Sequence, residues 1–133
     1  MNQINAVNIY KKQSVETLSP QRLLIMMYDG AIANAEKAKK AINNKDIEKA
    51  NKYTLKTQEI IYELINSLNM DFSISENLFS LYEFLIQQLI EANINKDCQK
   101  IEIVLDFLKE LRDTWQEAME KTAERIKVGE INV

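Results

Sequence analysis

The sequence predicts an all-α protein: an antiparallel up-down four-helix bundle with an N-terminal strap or short cap helix. Three observations carry this expectation. The 133 residues contain two glycines and one proline, so turns and helix breakers are scarce. Four long segments repeat apolar side chains at three- and four-residue steps, which places them on one helix face. Short polar connections separate those segments, and helices so joined pack antiparallel to their neighbours.

Residues 1–18 have no clean period. Ile4, Val7, Ile9, Tyr10, Val15 and Leu18 stand isolated among polar residues, which predicts a mobile N-terminal strap. Ser19-Pro20 is a helix start: a serine hydroxyl accepts a free backbone N–H, and proline at the first helical position loses no hydrogen bond. The first helix is expected over about 20–43, with Leu24, Met27, Tyr28, Ala31, Ala35, Ala38 and Ile42 on one face. The small residues among them predict close approach of a neighbour, and Gly30 is expected to allow the same.

Asn43-Asn44-Lys45-Asp46 is a polar turn whose Asp46 or Asn44 can cap a second helix over about 46–69. There Ile47, Ala50, Thr54, Thr57, Ile61, Leu64 and Leu68 repeat in heptad fashion, and Tyr53, Ile60 and Ile65 widen the stripe. Met70 to Ser75 breaks the period, and Ser75 can cap a third helix over about 76–95. Asp97 is the expected cap of a fourth helix over about 98–127, with Ile101, Val104, Leu105, Leu108, Leu111, Trp115, Ala118 and Met119 on one face. Trp115 reads as a core anchor and Arg112-Asp113 as a local charge pair. Residues 128–133 are expected to be a frayed tail, which leaves 19–127 as the bundle domain.

The net charge is −3 and acidic and basic residues are interspersed along the chain, so no basic stripe in the sequence points to nucleic acid. No apolar run reaches the roughly 18 residues of a membrane span. There is no histidine, which removes a phosphotransfer imidazole and the Glu-x-x-His pairs of di-iron bundles. Cys98 has no histidine to activate it, and no glycine-rich phosphate loop is present. Carboxylate pairs such as Glu117 with Glu120 read as a solvated helix face. The expectation is a protein without catalysis, metal or cofactor.

The surplus is hydrophobic. On the third helix one stripe, Leu78, Leu81, Leu85, Leu89 and Ala92, suffices for a bundle core. A second, Phe79, Tyr82, Ile86, Ile90 and Asn93, lies around the helix, and Phe84 and Ile94 add to it. A helix apolar nearly all round is covered by something. Either a wide core stripe or a binding groove answers that pattern.

The N-terminal third reads Asn8-Ile9-Tyr10, Val15-Glu16-Thr17-Leu18-Ser19-Pro20, then Leu23-Leu24-Ile25-Met26-Met27-Tyr28-Asp29-Gly30. It resembles the flagellin export chaperones of the FliS family, whose signature runs from a tyrosine through V-x-T-x-S-P to L-x-x-M-L-Y-(D/N)-G. Glu63-Leu64, Leu68-Asn69, Leu81-Tyr82, Leu89-Ile90-Glu91-Ala92-Asn93 and Leu111-Arg112-Asp113-Thr114-Trp115 follow in the family's order, so the resemblance covers roughly residues 5–120. Leu18 stands where the family usually has alanine, and Gln87-Gln88 where relatives are often basic.

The resemblance implies a cytoplasmic export chaperone. It would bind the C-terminal segment of flagellin, prevent premature polymerisation and aid delivery to the flagellar type III export apparatus. It also implies an N-terminal segment that covers part of the groove and moves on binding. The expected flagellin-binding residues are Ile61, Leu64, Ile65 and Leu68 of the second helix, and Leu78, Phe79, Leu81, Tyr82, Leu85 and Ile86 of the third, with Tyr10 and Val15 as strap contacts. For Leu64, Leu68, Leu81 and Leu85 a plain core role competes with client contact; Phe79, Tyr82 and Ile86 are assigned to the binding face. An export gate protein, an anti-sigma factor and a flagellin assembly regulator are further candidate partners; nucleic acid and membrane insertion are not expected. The competing reading is a structural bundle that self-associates through the third helix.

Overall fold

The computed structural model describes residues 19–127, except the side chain of Ile126. The expected strap at 1–18, with Tyr10 and Val15, and the expected tail at 128–133 lie outside the described residues. Four helices follow in order: α1 Pro20–Asn43, α2 Ile47–Asn66, α3 Ser73–Asn95 and α4 Cys98–Lys127. Each packs against its two ring neighbours, α1 on α2, α2 on α3, α3 on α4 and α4 back on α1. Partners across α1 and α4 run in opposite senses, Asp29 with Arg112, Glu36 with Lys109 and Lys39 with Glu102. The bundle is therefore up-down and antiparallel, as the short connections require.

Local chemistry sets the ends. Ser19 accepts from the Arg22 N–H at 3.2 Å ahead of Pro20, and Asp46 accepts from the Lys49 N–H at 3.1 Å. Asp97 accepts from the Gln99 N–H at 2.9 Å. The α2–α3 connection departs from expectation. α2 stops at Asn66 instead of Asn69, and α3 starts at Ser73 with Phe72 as its N-cap residue and no side-chain cap bond. Ser75 does not cap: it is buried inside the first turn and its hydroxyl donates to the Asn69 carbonyl at 2.6 Å. That bond ties the loop to the helix by giving a donor to a loop carbonyl, where a cap would give an acceptor to a first-turn N–H.

The core is built from Tyr28 and the alanines of α1, Ile61 and Leu64 of α2, Tyr82, Leu85, Ile86, Leu89 and Ala92 of α3, and Ile101, Val104, Leu105 and Leu108 of α4. Ala31, Ala35 and Ala38 are fully buried, so α1 is flush with its neighbours. At Gly30 an added Cβ would lie 3.5 Å from Ile60 Cδ1, an ordinary contact distance; the alanines, not this glycine, set the approach of α1 and α2.

Candidate functional site

The third helix decides where the surplus goes. Its buried face is Ser75, Tyr82, Leu85, Ile86, Leu89 and Ala92, turned by a fraction of a residue step from the expected stripe. Tyr82 and Ile86 therefore point inward, not onto a second outer face, while Leu78 and Leu81 are half-buried. The physical reason is polar. Tyr82 and Tyr28 join hydroxyl to hydroxyl inside the bundle, and Trp115 Nε1 donates to the Tyr28 oxygen at 3.3 Å. Once buried, a phenol needs a partner, and this network supplies one for α1, α3 and α4 together. Burial raises both tyrosine pKa values, and for Tyr82 the neighbouring Tyr28 raises it further, so both stay neutral. Sequence periodicity could not find this network, because it joins residues far apart in the chain.

Of the ten expected site residues that are described, Ile61, Leu64, Tyr82, Leu85 and Ile86 are buried. Ile65, Leu68, Leu78 and Leu81 are half-buried, and Phe79 is 36% exposed. Ile65 and Phe79 meet along one seam, between α2 and α3, while Leu81, two residues from Phe79, faces away from it. Tyr62, Ile65, Phe79, Ile86 and Ile90 line a groove of about 350 Å³ there, with Glu83 and Gln87 on its rim. Tyr62 is 50% exposed. The residue spacing explains the lining: Phe79, Ile86 and Ile90 recur at seven and four residues, one face of α3. Tyr62 was missed by the sequence reading; its three-residue spacing from Ile65 was the available signal. The buried leucines and isoleucines form the support beneath this groove.

Farther along the same seam Leu55 and Ile94 are exposed, at 52% and 74%. No ion pair crosses from α2 to α3 among the described residues. Lys96 closes the far end, donating to Asn51 and Asn93. On the other flank of α3, Phe84 and Phe107 meet edge to face at 5.9 Å, and Phe84 is partly exposed. Such an arrangement holds apolar surface to solvent.

The family model for flagellar protein FliS matches residues 2–122. The chain belongs to the FliS family. The flagellar secretion chaperone FliS of Bacillus subtilis is 32% identical over 116 residues, 87% of each chain. That of Campylobacter jejuni is 34% identical over 114 residues, 84% of this chain and 89% of the relative. A crystal structure of a flagellar chaperone from bacteria superposes with a TM-score of 0.73 at 22% identity, over 90% of this chain and 98% of that one, which shows the shared fold. FliS proteins are thus flagellar secretion chaperones, a family not known for catalysis. No described helix is long and apolar enough to cross a membrane.

Proposed function

We propose that this FliS-family protein sequesters the C-terminal segment of flagellin in the cytoplasm, prevents its premature polymerisation and aids its delivery to the flagellar type III export apparatus. The observation that carries this reading is the open apolar seam between α2 and α3. An amphipathic helix laid there would act as a fifth helix, its anchors falling at three- and four-residue steps. From Phe79 to Ile94 the seam is about 22 Å long at about 1.5 Å rise per residue, room for about four helical turns. Burying apolar surface would drive the association at about 25 cal/mol per Å², and ordering a disordered client would offset most of the gain. Binding would then be tight enough to protect the segment and still reversible on handover. Phe79, Tyr62, Ile65 and Ile90 would make the contacts in the groove. Ile61, Leu64, Tyr82 and Leu85 would shape it from beneath, and Ile86 would lie at its floor. Leu68, Leu78 and Leu81 would extend the apolar surface at their half-buried edges.

Titration with a peptide from the flagellin C-terminus tests the reading. Binding at or below tens of micromolar is expected, with the free protein's helical content retained. Absence of binding in that range rejects the client assigned here.

A further inference from the structure

One stretch of the sequence is rich in lysine, and folding brings most of those lysines together around a single ring. Seven of the chain's 17 basic residues fall between Lys37 and Lys56, against two of its 20 acidic ones. The turn at Asn44–Asp46 brings the end of α1 beside the start of α2, so Lys37, Lys40, Lys49, Lys52 and Lys56 gather on one outer face, while Lys39 turns to Glu102 of α4. Tyr53 stands at its centre. The ammonium groups of Lys37, Lys52 and Lys56 lie 5.4, 5.4 and 5.9 Å from its ring centroid. Beside the ring is a hollow of about 230 Å³ lined by Lys37, Lys40 and Lys49, with Asp46 as the carboxylate in its wall. Asp46 is already engaged by the Lys49 N–H. Among the described residues, Lys37, Lys40, Lys45, Lys52 and Lys56 have no carboxylate within ion-pair distance, whereas Lys39, Lys100, Lys109 and Lys121 each have one.

Three cations over one ring attract it but repel one another, and Lys49 sits in the first turn of α2, where the helix dipole disfavours a cation. An anion resolves both. We propose that the Tyr53-centred face of the α1–α2 hairpin docks a short acidic segment of a partner protein, one presenting three or more carboxylates within about five residues. The length follows from the face: Lys49 to Lys56 spans about 11 Å along α2 at about 1.5 Å per residue, the reach of about three extended residues at about 3.3 Å each, and Lys37 and Lys40 across the hairpin widen it. A nucleic acid fits less well. Its even charge would run on past the patch into Glu36, Glu48 and Glu59 and a remainder with ten bases against eighteen acids, and the Tyr53 ring is already covered by ammonium groups and unavailable for stacking. A lipid surface fits less well because Ile47 lies two residues from Lys49, on the opposite flank of α2, and Tyr62 belongs to the α2/α3 groove, which leaves Leu55, three residues from Lys52, as the one exposed apolar side chain of α2 beside the lysines.

The test is fluorescence anisotropy of the full chain with a labelled hexaglutamate peptide. Saturable binding at about 20 mM salt, weakened about tenfold or more near 300 mM, is expected, since exposed charges are screened. Lys52→Glu with Lys56→Glu should weaken it at least about tenfold, whereas the matched pair Lys121→Glu with Lys127→Glu should change it less than about threefold. If the first pair lowers helical content, Lys52→Gln with Lys56→Gln gives the same readout. No binding at low salt overturns the site. So does an equal loss in both pairs, which would mean net charge alone, and so does tighter binding of a single-stranded DNA 20-mer or phosphatidylserine vesicles than of the peptide. Flagellin-peptide affinity should stay within about twofold in the Lys52/Lys56 variant, so the outcome here is separable from the fate of the α2/α3 groove.

Discussion

The two seams on opposite sides of the ring are built by different rules. Between α1 and α4 the rim is laced with cross-helix ion pairs: Arg112 with Asp29 at 2.8 Å, Lys109 with Glu36 at 3.0 Å, and Lys39 with Glu102. Lys39 and Arg112 are both shifted to higher pKa chiefly by the carboxylate each one holds. Between α2 and α3 large apolar side chains keep a gap, and no described ion pair spans it. Charged rims satisfy a seam at its surface, whereas an uncovered apolar seam leaves free energy to be gained on association. One side of the bundle is finished and the other is unfinished.

The sharpest way to break this contrast is to put a charge on each side of the α3 surface. Tyr82→Glu should cost about 3 kcal/mol or more, because it buries a carboxylate with no cation nearby; a urea midpoint followed by circular dichroism will read the collapse. A folded Tyr82→Glu that merely loses client affinity would return Tyr82 to the outer face expected from sequence. Phe79→Glu should do the opposite, keeping the urea midpoint within about 1 kcal/mol while weakening the flagellin peptide about tenfold, or about 1.4 kcal/mol. Tyr82→Phe should lose about 1 kcal/mol of stability, the net worth of a typical internal hydrogen bond. Arg112→Ala on the finished side should cost no more than about 1 kcal/mol, and less at high salt. Smallest of all is the pH response of the Glu91–Lys100 pair joining α3 to α4. The Lys100 hydrogen bond, then Gln87, holds the Glu91 carboxyl below its ordinary 4.5. The contribution of the pair is therefore present above that pH and fades as the pH falls through the lower folded value. A Glu91→Gln variant should flatten the acid limb of the stability curve.

How far the sequence reached depends on how local each signal is. The Ser19 cap, the Asp46 and Asp97 caps and the α1 alanine face are set by neighbours two to four residues away, and all are where the pattern predicts. Ser75 is one turn out of place, because a serine that bonds back to Asn69 looks, in sequence, like a serine that caps. The buried face of α3 was ambiguous for a different reason. With apolar residues nearly all round, two adjoining stripes satisfy the period equally, and the choice falls to Tyr28 and Trp115 on other helices. The lysines of the α1–α2 hairpin lie close in sequence, but only the three-residue turn shows which of them meet around Tyr53. The family motifs point to a partner, yet five of the ten described residues expected to touch it are buried, and of those five Ile86 alone lines the groove.

The indole of Trp115 gives the molecule a built-in optical gauge. It is the sole tryptophan, and its N–H is held by the Tyr28 oxygen. Its emission should redden when the helices come apart and stay steady when a guest settles along the opposite seam, so light from one residue can tell loss of architecture from occupancy.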